Sequence, residues 1–544
     1  MRISALVLLL AVGPLAWADS PAREPWSLVR SDAIRSHVEF LASDLLEGRS
    51  SASRGYDIAA AYVASHFRQC ALQPSGDDDT YFQAVPLLEG TPVLPGSSAE
   101  LLIGGEERRF EYGTDYLPSV DFSSASSTLS APLVFAGFGV QAPELGHDDL
   151  ANVDLKGRIA VIFSGAPAKF PHNQRAYYSW SNGKFATLLE HGAVGALLIE
   201  SPDDAKRVPW ERSVAMSWTP QMRWVDEQGA PHDAFEQLKL RFRFNQAAAA
   251  RLFDSAGRDF AAILAAAEAG EVQGFELPGL MTLSATSGLR RTESTNVLAM
   301  LPGADPALKS EYVIVTAHLD HLGRGAAVAG DSIYNGAHDN ALGMGILLEM
   351  ARSLSSSGMR PRRSIIFAAV TAEEKGLVGS DYLAEHLPLP FDGLVANINI
   401  DMPVALTPTT DLIARGAEHS TLGVIARSAA AAHGYRLSPD PSPEEVSFIR
   451  SDQFSFIRRG VPSLVLVSGY KARDKSIDAM ALRTEFMKKH YHQPTDQVGM
   501  PMDFAGAADL ARVNLRLLWE VANTPAPPSW KPKDFFGSKF PRAR

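Results

Sequence analysis

The feature that most constrains this chain lies in its second half. From about Thr295, short apolar runs alternate with longer segments of helical periodicity. Expected strands are Tyr312–Ala317, Ser364–Val370, Leu394–Ile400, Asp411–Ala414 and Ser463–Val467. Expected helices follow at Ala341–Leu354, Leu377–His386, Thr421–His433, Ser451–Arg459 and Phe504–Val521. Such alternation predicts an α/β fold, with a mostly parallel mixed sheet flanked by helices. In open sheets of this kind, sites form at the carboxyl ends of the strands.

The residues after each strand are therefore informative. His318-Leu319-Asp320 follows the first strand, Thr371-Ala372-Glu373-Glu374 the second, and Asp401 the third. Gly336-Ala337-His338-Asp339-Asn340 lies between the first two, just before a helix, and a long loop after the last strand reaches Tyr491-His492-Gln493-Pro494. Imidazoles and carboxylates without a thiolate suit zinc or another first-row divalent ion. Two imidazoles and three carboxylates exceed what one catalytic zinc needs. They suit two ions about 3.5–4 Å apart that share one carboxylate. Asp320, two residues after His318, is expected to accept a hydrogen bond from the ring N–H opposite the metal. Of the adjacent glutamates, one is expected to bind metal and the other to take a proton from water.

These blocks, together with Ser451-Asp452-Gln453, occur over about residues 290–525 in an order that resembles the M28 family of metallopeptidases. The resemblance implies a zinc-exopeptidase-like fold and two Zn2+ per chain. It implies that Asp339 bridges the ions, that His318 and Asp401 complete one and that Glu374 and His492 complete the other. It makes Glu373 the general base, Asp320 a partner of His318 and Tyr491 an oxyanion stabiliser, with a hydroxide shared by the metals as nucleophile. It also implies a cis Asp339–Asn340 peptide. Two positions depart from the family pattern, His338 where an acid is common and Gln453 where a histidine is common. The implied activity is removal of the amino-terminal residue from peptides. Carboxypeptidase, dipeptidase or amidase activity is the alternative, and a non-catalytic binding protein on the same fold a further one. A one-zinc, glutaminyl-cyclase-like arrangement is disfavoured by the presence of His318 and Asp401.

Other polar residues carry less. His490 competes with His492, but the Tyr-His-Gln-Pro frame favours the latter. His321 and His338 are expected to be supporting or structural, and His147-Asp148-Asp149 to be a solvated loop. Gly137-Phe138-Gly139-Val140-Gln141-Ala142 follows a strand, as a dinucleotide fingerprint would, but Pro143 and Gly146 stand where its helix should begin. No G-x-S-x-G elbow or H-E-x-x-H pair occurs.

The first half reads differently. Arg2, the apolar run Ile3–Leu15 and Ala16-Trp17-Ala18 resemble a secretory leader cut after Ala18, so residues 1–18 are expected to direct export to a periplasm or the exterior. No stable membrane insertion is expected after cleavage. Residues 19–130 read as two helices and a lead-in. Residues 131–268 read as a β-rich insert that resembles a protease-associated domain, on Asp154-Leu155-Lys156-Gly157-Arg158-Ile159-Ala160-Val161 and Gly192-Ala193-Val194-Gly195-Ala196. Residues 269–523 are the expected catalytic domain, and 524–544 an extended tail rich in proline and basic residues. The lone Cys70 leaves no internal disulfide and is expected to be a buried structural thiol. A formal charge of −11 and the lack of a basic stripe argue against a nucleic-acid partner. Peptides are the expected partners.

Overall fold

Strands made of consecutive apolar residues need cover on both faces. Every residue of Tyr312–His318, Ser364–Val370, Leu394–Asn399 and Ser463–Ser468 is buried. The computed structural model, which describes residues 23–542 apart from Pro95, pairs these four in parallel. Tyr312–His318 lies between Ser364–Val370 and Leu394–Asn399, and Ser463–Ser468 follows on the far side of Leu394–Asn399. Antiparallel neighbours flank them: Asp411–Arg415 at one side and the end of Phe275–Leu301 at the other.

The alternation of side chains sends two sets of residues to opposite faces. Val313, Val315, Ala317, Ile365 and Phe367 join the large core under helices Ser31–Leu41, Arg54–Gln69, Leu342–Ser356, Leu422–Ala432 and Phe504–Asn523. Ile314, Ile366, Ala368 and Val370 meet Leu383 of helix Val378–Glu385 and Phe456 of helix Gln453–Ile457. The expected α/β layering is what forms. Among the described residues, no helix is long and apolar enough to cross a membrane. The leader-like residues 1–18 lie outside the described residues.

A second sheet builds the β-rich body. It contains Ser98–Ile103, Ser126–Phe135, Ile159–Phe163, Gly195–Ile199, Leu240–Phe244 and the start of Phe275–Leu301. This body is therefore wider than the expected 131–268. Its first strands were hard to read because exposed Ser and Thr alternate through Ser126–Ser130. Phe275–Leu301 runs for 27 residues and leaves this sheet to join the first, along Phe82–Pro92 and then Ser364–Val370.

Elsewhere the structure adds to the sequence reading or changes it. The alanine-rich stretch that ends the insert forms two helices, Gln246–Ser255 and Phe260–Ala269. Gly257, at φ 69°, turns the chain between them, and the Asp259 side chain caps the second. The tail is not simply extended. It forms a short helix, Phe535–Lys539, and buries Phe536 completely against Phe448. His147-Asp148-Asp149 is not a solvated loop. Asp149 is buried and accepts the N–H groups of Phe138 (2.9 Å) and Val140 (3.1 Å), which occupies the glycine turn that resembled a fingerprint. Cys70 is half-buried rather than fully so, and burial pushes its thiol up to about 11, well away from a thiolate.

Candidate metal centre

Five side chains from five separate segments converge at the carboxyl ends of the parallel strands. His318 ends its strand and Asp401 lies two residues past Leu394–Asn399. His318 Nε2 lies 3.2 Å from Asp339 Oδ1 and 3.2 Å from Asp401 Oδ1. His492 Nε2 lies 3.3 Å from the other oxygen of Asp339 and 3.1 Å from Glu374 Oε2. Asp339 thus offers one oxygen to each cluster. A tetrahedral cation with ligands at about 2.0–2.1 Å holds its donors about 3.3 Å apart. The observed spacings match that edge, so the donor set fits two cations by chemistry and by distance.

His321 also comes close, and His321, Asp339 and Glu374 can be grouped as potential ligands. Distance separates their roles. His321 Nδ1 is 2.7 Å from Glu374 Oε1, the oxygen turned away from His492, which is a hydrogen bond that orients the carboxylate. His490 points elsewhere, to Thr495 Oγ1 at 2.9 Å. His338 packs edge-on against Phe486 at 5.0 Å, and burial pushes its imidazole down to about 4.

The two adjacent glutamates meet opposite fields. Burial, with the charges of Asp401, Glu374 and Asp452, holds Glu373 well above the usual carboxylate range, although His318 opposes this. Burial also acts to raise Glu374, but His492 and His321 outweigh it and hold that carboxyl well below the range. Burial likewise works against protonation of His492, yet Glu374 and Asp339 raise it to about 9. Glu373 lines both cavities that open onto the centre. The larger, about 990 Å3, lies between the β-rich body and the catalytic sheet. Tyr491 borders both as well, and burial raises its phenol well above the ordinary value.

Asp320 differs from expectation. His318 Nδ1 faces the Asp320 backbone carbonyl at 3.1 Å, whereas the Asp320 carboxylate is 3.9 Å away. The turn after His318 brings the carbonyl under the ring and sends the carboxylate across to the next loop. There it accepts from Glu373 N (3.1 Å), Glu374 N (3.3 Å) and Ser51 Oγ (3.1 Å). Asp320 therefore orients the glutamate pair, and a backbone carbonyl orients His318.

Several supporting residues left no sequence signal. Arg49, 1% exposed, donates to the carbonyls of Leu41, Leu319, Asn335 and Gly336. It ties the N-terminal helices to two site loops, and burial lowers its guanidinium to about 10 against the pull of Asp320 and Asp496. Asp496 accepts from His338 N (2.9 Å) and Asp339 N (3.1 Å). Its place four residues after His492 was the only clue. Gly336 is required where it stands: its φ is 62° and a Cβ would sit 2.0 Å from Asp339 O. The Asp339–Asn340 peptide is cis. Gln453 fills a structural place, accepting from Asn399 Nδ2 (2.9 Å) and donating to Phe448 O (2.6 Å). Ala372, Met402 and His492 all have positive φ, at 53°, 42° and 56°, so left-handed backbone gathers around the centre.

The same region matches known proteins. Residues 296–517 match the model of peptidase family M28. A probable zinc metalloprotease of Pyrenophora teres f. teres is 26% identical over 431 residues, 71% of this chain and 80% of that protein. Aminopeptidase NAALADL1 of Mus musculus is 38% identical over 128 residues, 22% of this chain. Leupeptin-inactivating enzyme 1 of Streptomyces exfoliatus is 32% identical over 108 residues, 20% of this chain. The match spans only 15% of the length of the mouse protein and 22% of the Streptomyces protein. An aminopeptidase from Aneurinibacillus sp. strain AM-1 shares the fold, with a TM-score of 0.53 and 18% identity over 94% of this chain and 98% of that one. Residues 296–517, which hold all five converging side chains, are thus a peptidase family M28 domain.

Proposed function

We propose that this chain is a two-zinc aminopeptidase. The observation that carries the reading is the sharing of Asp339, with one oxygen facing His318 and Asp401 and the other facing His492 and Glu374. Zinc ions bound there supply Lewis acidity to the scissile carbonyl and make water acidic enough to react near neutral pH. The chain's own residues do the rest. Glu373 stays outside both clusters and faces the cleft, so it takes the proton of the attacking water and returns it to the leaving amine. Asp320 and Ser51 hold the loop that aims it. Tyr491, at the cleft edge, donates its hydroxyl to the developing oxyanion. The names of the mouse and Aneurinibacillus proteins support the choice of aminopeptidase. The leader-like first residues support an exported enzyme.

The test is hydrolysis of paired peptides with free and acetylated amino termini, with and without chelator, alongside metal analysis. Cleavage of the free series only, abolished by chelator, with about two zinc ions per chain, is the expected result. Similarity over 123 residues to a probable glutamate carboxypeptidase of Arthroderma benhamiae favours a second reading. Equal cleavage of acetylated peptides from their carboxyl end would establish that one instead.

A further inference from the structure

A second cavity, about 440 Å3, opens onto the centre beside Asp339, Glu373 and Asp401. Only the catalytic body lines it, and its wall is partly apolar, formed by Met402, Val465, Met480 and Met487. Six charged side chains also reach it. Arg415 is paired with Asp440 at 3.0 Å and Arg450 with Glu445 at 3.7 Å. Glu444 is exposed at the rim shared with the larger cavity. That leaves Arg483 on the helix Ala479–Lys489. It is half-buried, and among the described residues no carboxylate lies within 4.0 Å of its guanidinium. Burial and the like charge of Arg415 lower it to about 10 against the opposing charges of Asp440 and Glu445, so it remains a cation at neutral pH with no carboxylate in direct contact.

A guanidinium in a partly desolvated cavity is best satisfied by a carboxylate, which it can hold through two parallel hydrogen bonds. The cavity offers that charge among methionine side chains, which suits a side chain with an apolar stem and an anionic tip. We propose that this cavity receives the side chain of the substrate's amino-terminal residue, and that Arg483 selects glutamate or aspartate there. The methylenes lie against Met402, Met480 and Met487, and the carboxylate meets Arg483. A lysine or arginine side chain would bring like charge to it instead. The proposal rests on the aminopeptidase reading, because it assigns the cavity to the residue before the scissile bond.

The experiment measures kcat/KM of the zinc-loaded full-length chain on dipeptide amides beginning with Glu, Gln, Leu or Lys, and on the free acid of the Leu dipeptide. Glutamate and glutamine have nearly the same shape, so their ratio isolates the charge. Glu is expected to exceed Gln by roughly 10–100-fold, and Arg483→Met to abolish that ratio while the Leu amide changes by less than about threefold. Arg483→Lys, which keeps the charge but not the fork, is expected to retain part of the preference. Equal rates for Glu and Gln overturn the proposal. So does an Arg483→Met variant that lowers every substrate alike. A Leu free acid that outpaces its amide only while Arg483 is present also overturns it, because Arg483 then reads the terminal carboxylate. If no unblocked substrate is cleaved, the aminopeptidase reading itself has failed, an outcome distinct from cleavage without acidic preference. If Arg483→Met does not fold, the wild-type Glu to Gln ratio and Arg483→Lys still decide.

Discussion

Glu373 and Glu374 share one peptide bond and yet meet different surroundings, because their side chains leave the loop in different directions. Glu374 turns to His321 and His492, and Glu373 turns to the open cleft. Glu373→Gln keeps the shape and removes the proton acceptor. It is expected to retain bound metal while kcat falls by roughly 10²–10⁴-fold, measured by metal analysis beside steady-state kinetics. An unchanged kcat would remove Glu373 from the reaction. The residues that converge at the centre were readable because their type and their place after strands carry the information. Their supports were not. Arg49 and Leu319 are far apart in sequence, and a side chain that reaches a backbone carbonyl imposes no residue type on its partner. The Asp320 carboxylate has a partner other than the expected His318. A two-residue spacing does not say whether the carbonyl or the carboxylate faces His318.

At the level of elements, the buried parallel strands were legible because each is an unbroken apolar run. Phe275–Leu301 was not. Pro278, Gly279 and Gly288 interrupt it, and Arg290, Arg291 and Glu293 make its middle polar. Pairing along its whole length, with Phe82–Pro92 alone beside the polar middle, holds it extended. The short helix Trp210–Ala215 of the β-rich body also escaped notice, although it reaches the site. Its Arg212 donates to the carbonyl of Tyr491 and lies over the Tyr491 ring at 5.7 Å. Trp218, just beyond it, packs on Tyr334 at 5.6 Å. This segment therefore steadies the loop that carries His492. Arg212→Ala removes one charge-assisted hydrogen bond and is expected to weaken zinc retention roughly tenfold against a competing chelator. The thermal midpoint should change little and Arg212→Lys should restore part of the affinity. Unchanged zinc retention would show that the loop holds its shape without help from the other body.

Across the whole molecule, the two sheets are joined at several places, and the tail is one of them. Phe535 and Phe540 flank Tyr177 of the β-rich body at 5.5 and 5.8 Å, while Phe536 sits against Phe448 of the catalytic body. Asp534 Oδ2 and His419 Nδ1 are 2.8 Å apart. Proline and basic residues masked this role in the sequence, since Phe535, Phe536 and Phe540 count for little in composition. Phe536→Ala is expected to cost about 3–5 kcal/mol, read as a lower urea midpoint for the whole chain. A shift no larger than that of an exposed substitution would mean the tail is dispensable. The long strand has the larger consequence. At roughly 3.3 Å per residue it forms a girder through both bodies, held by backbone pairing in each sheet. A girder does not swing as a loop does, so the width of the slot between the bodies is set when the chain folds. A slot of set width is expected to admit a loose polypeptide end more readily than a folded protein surface.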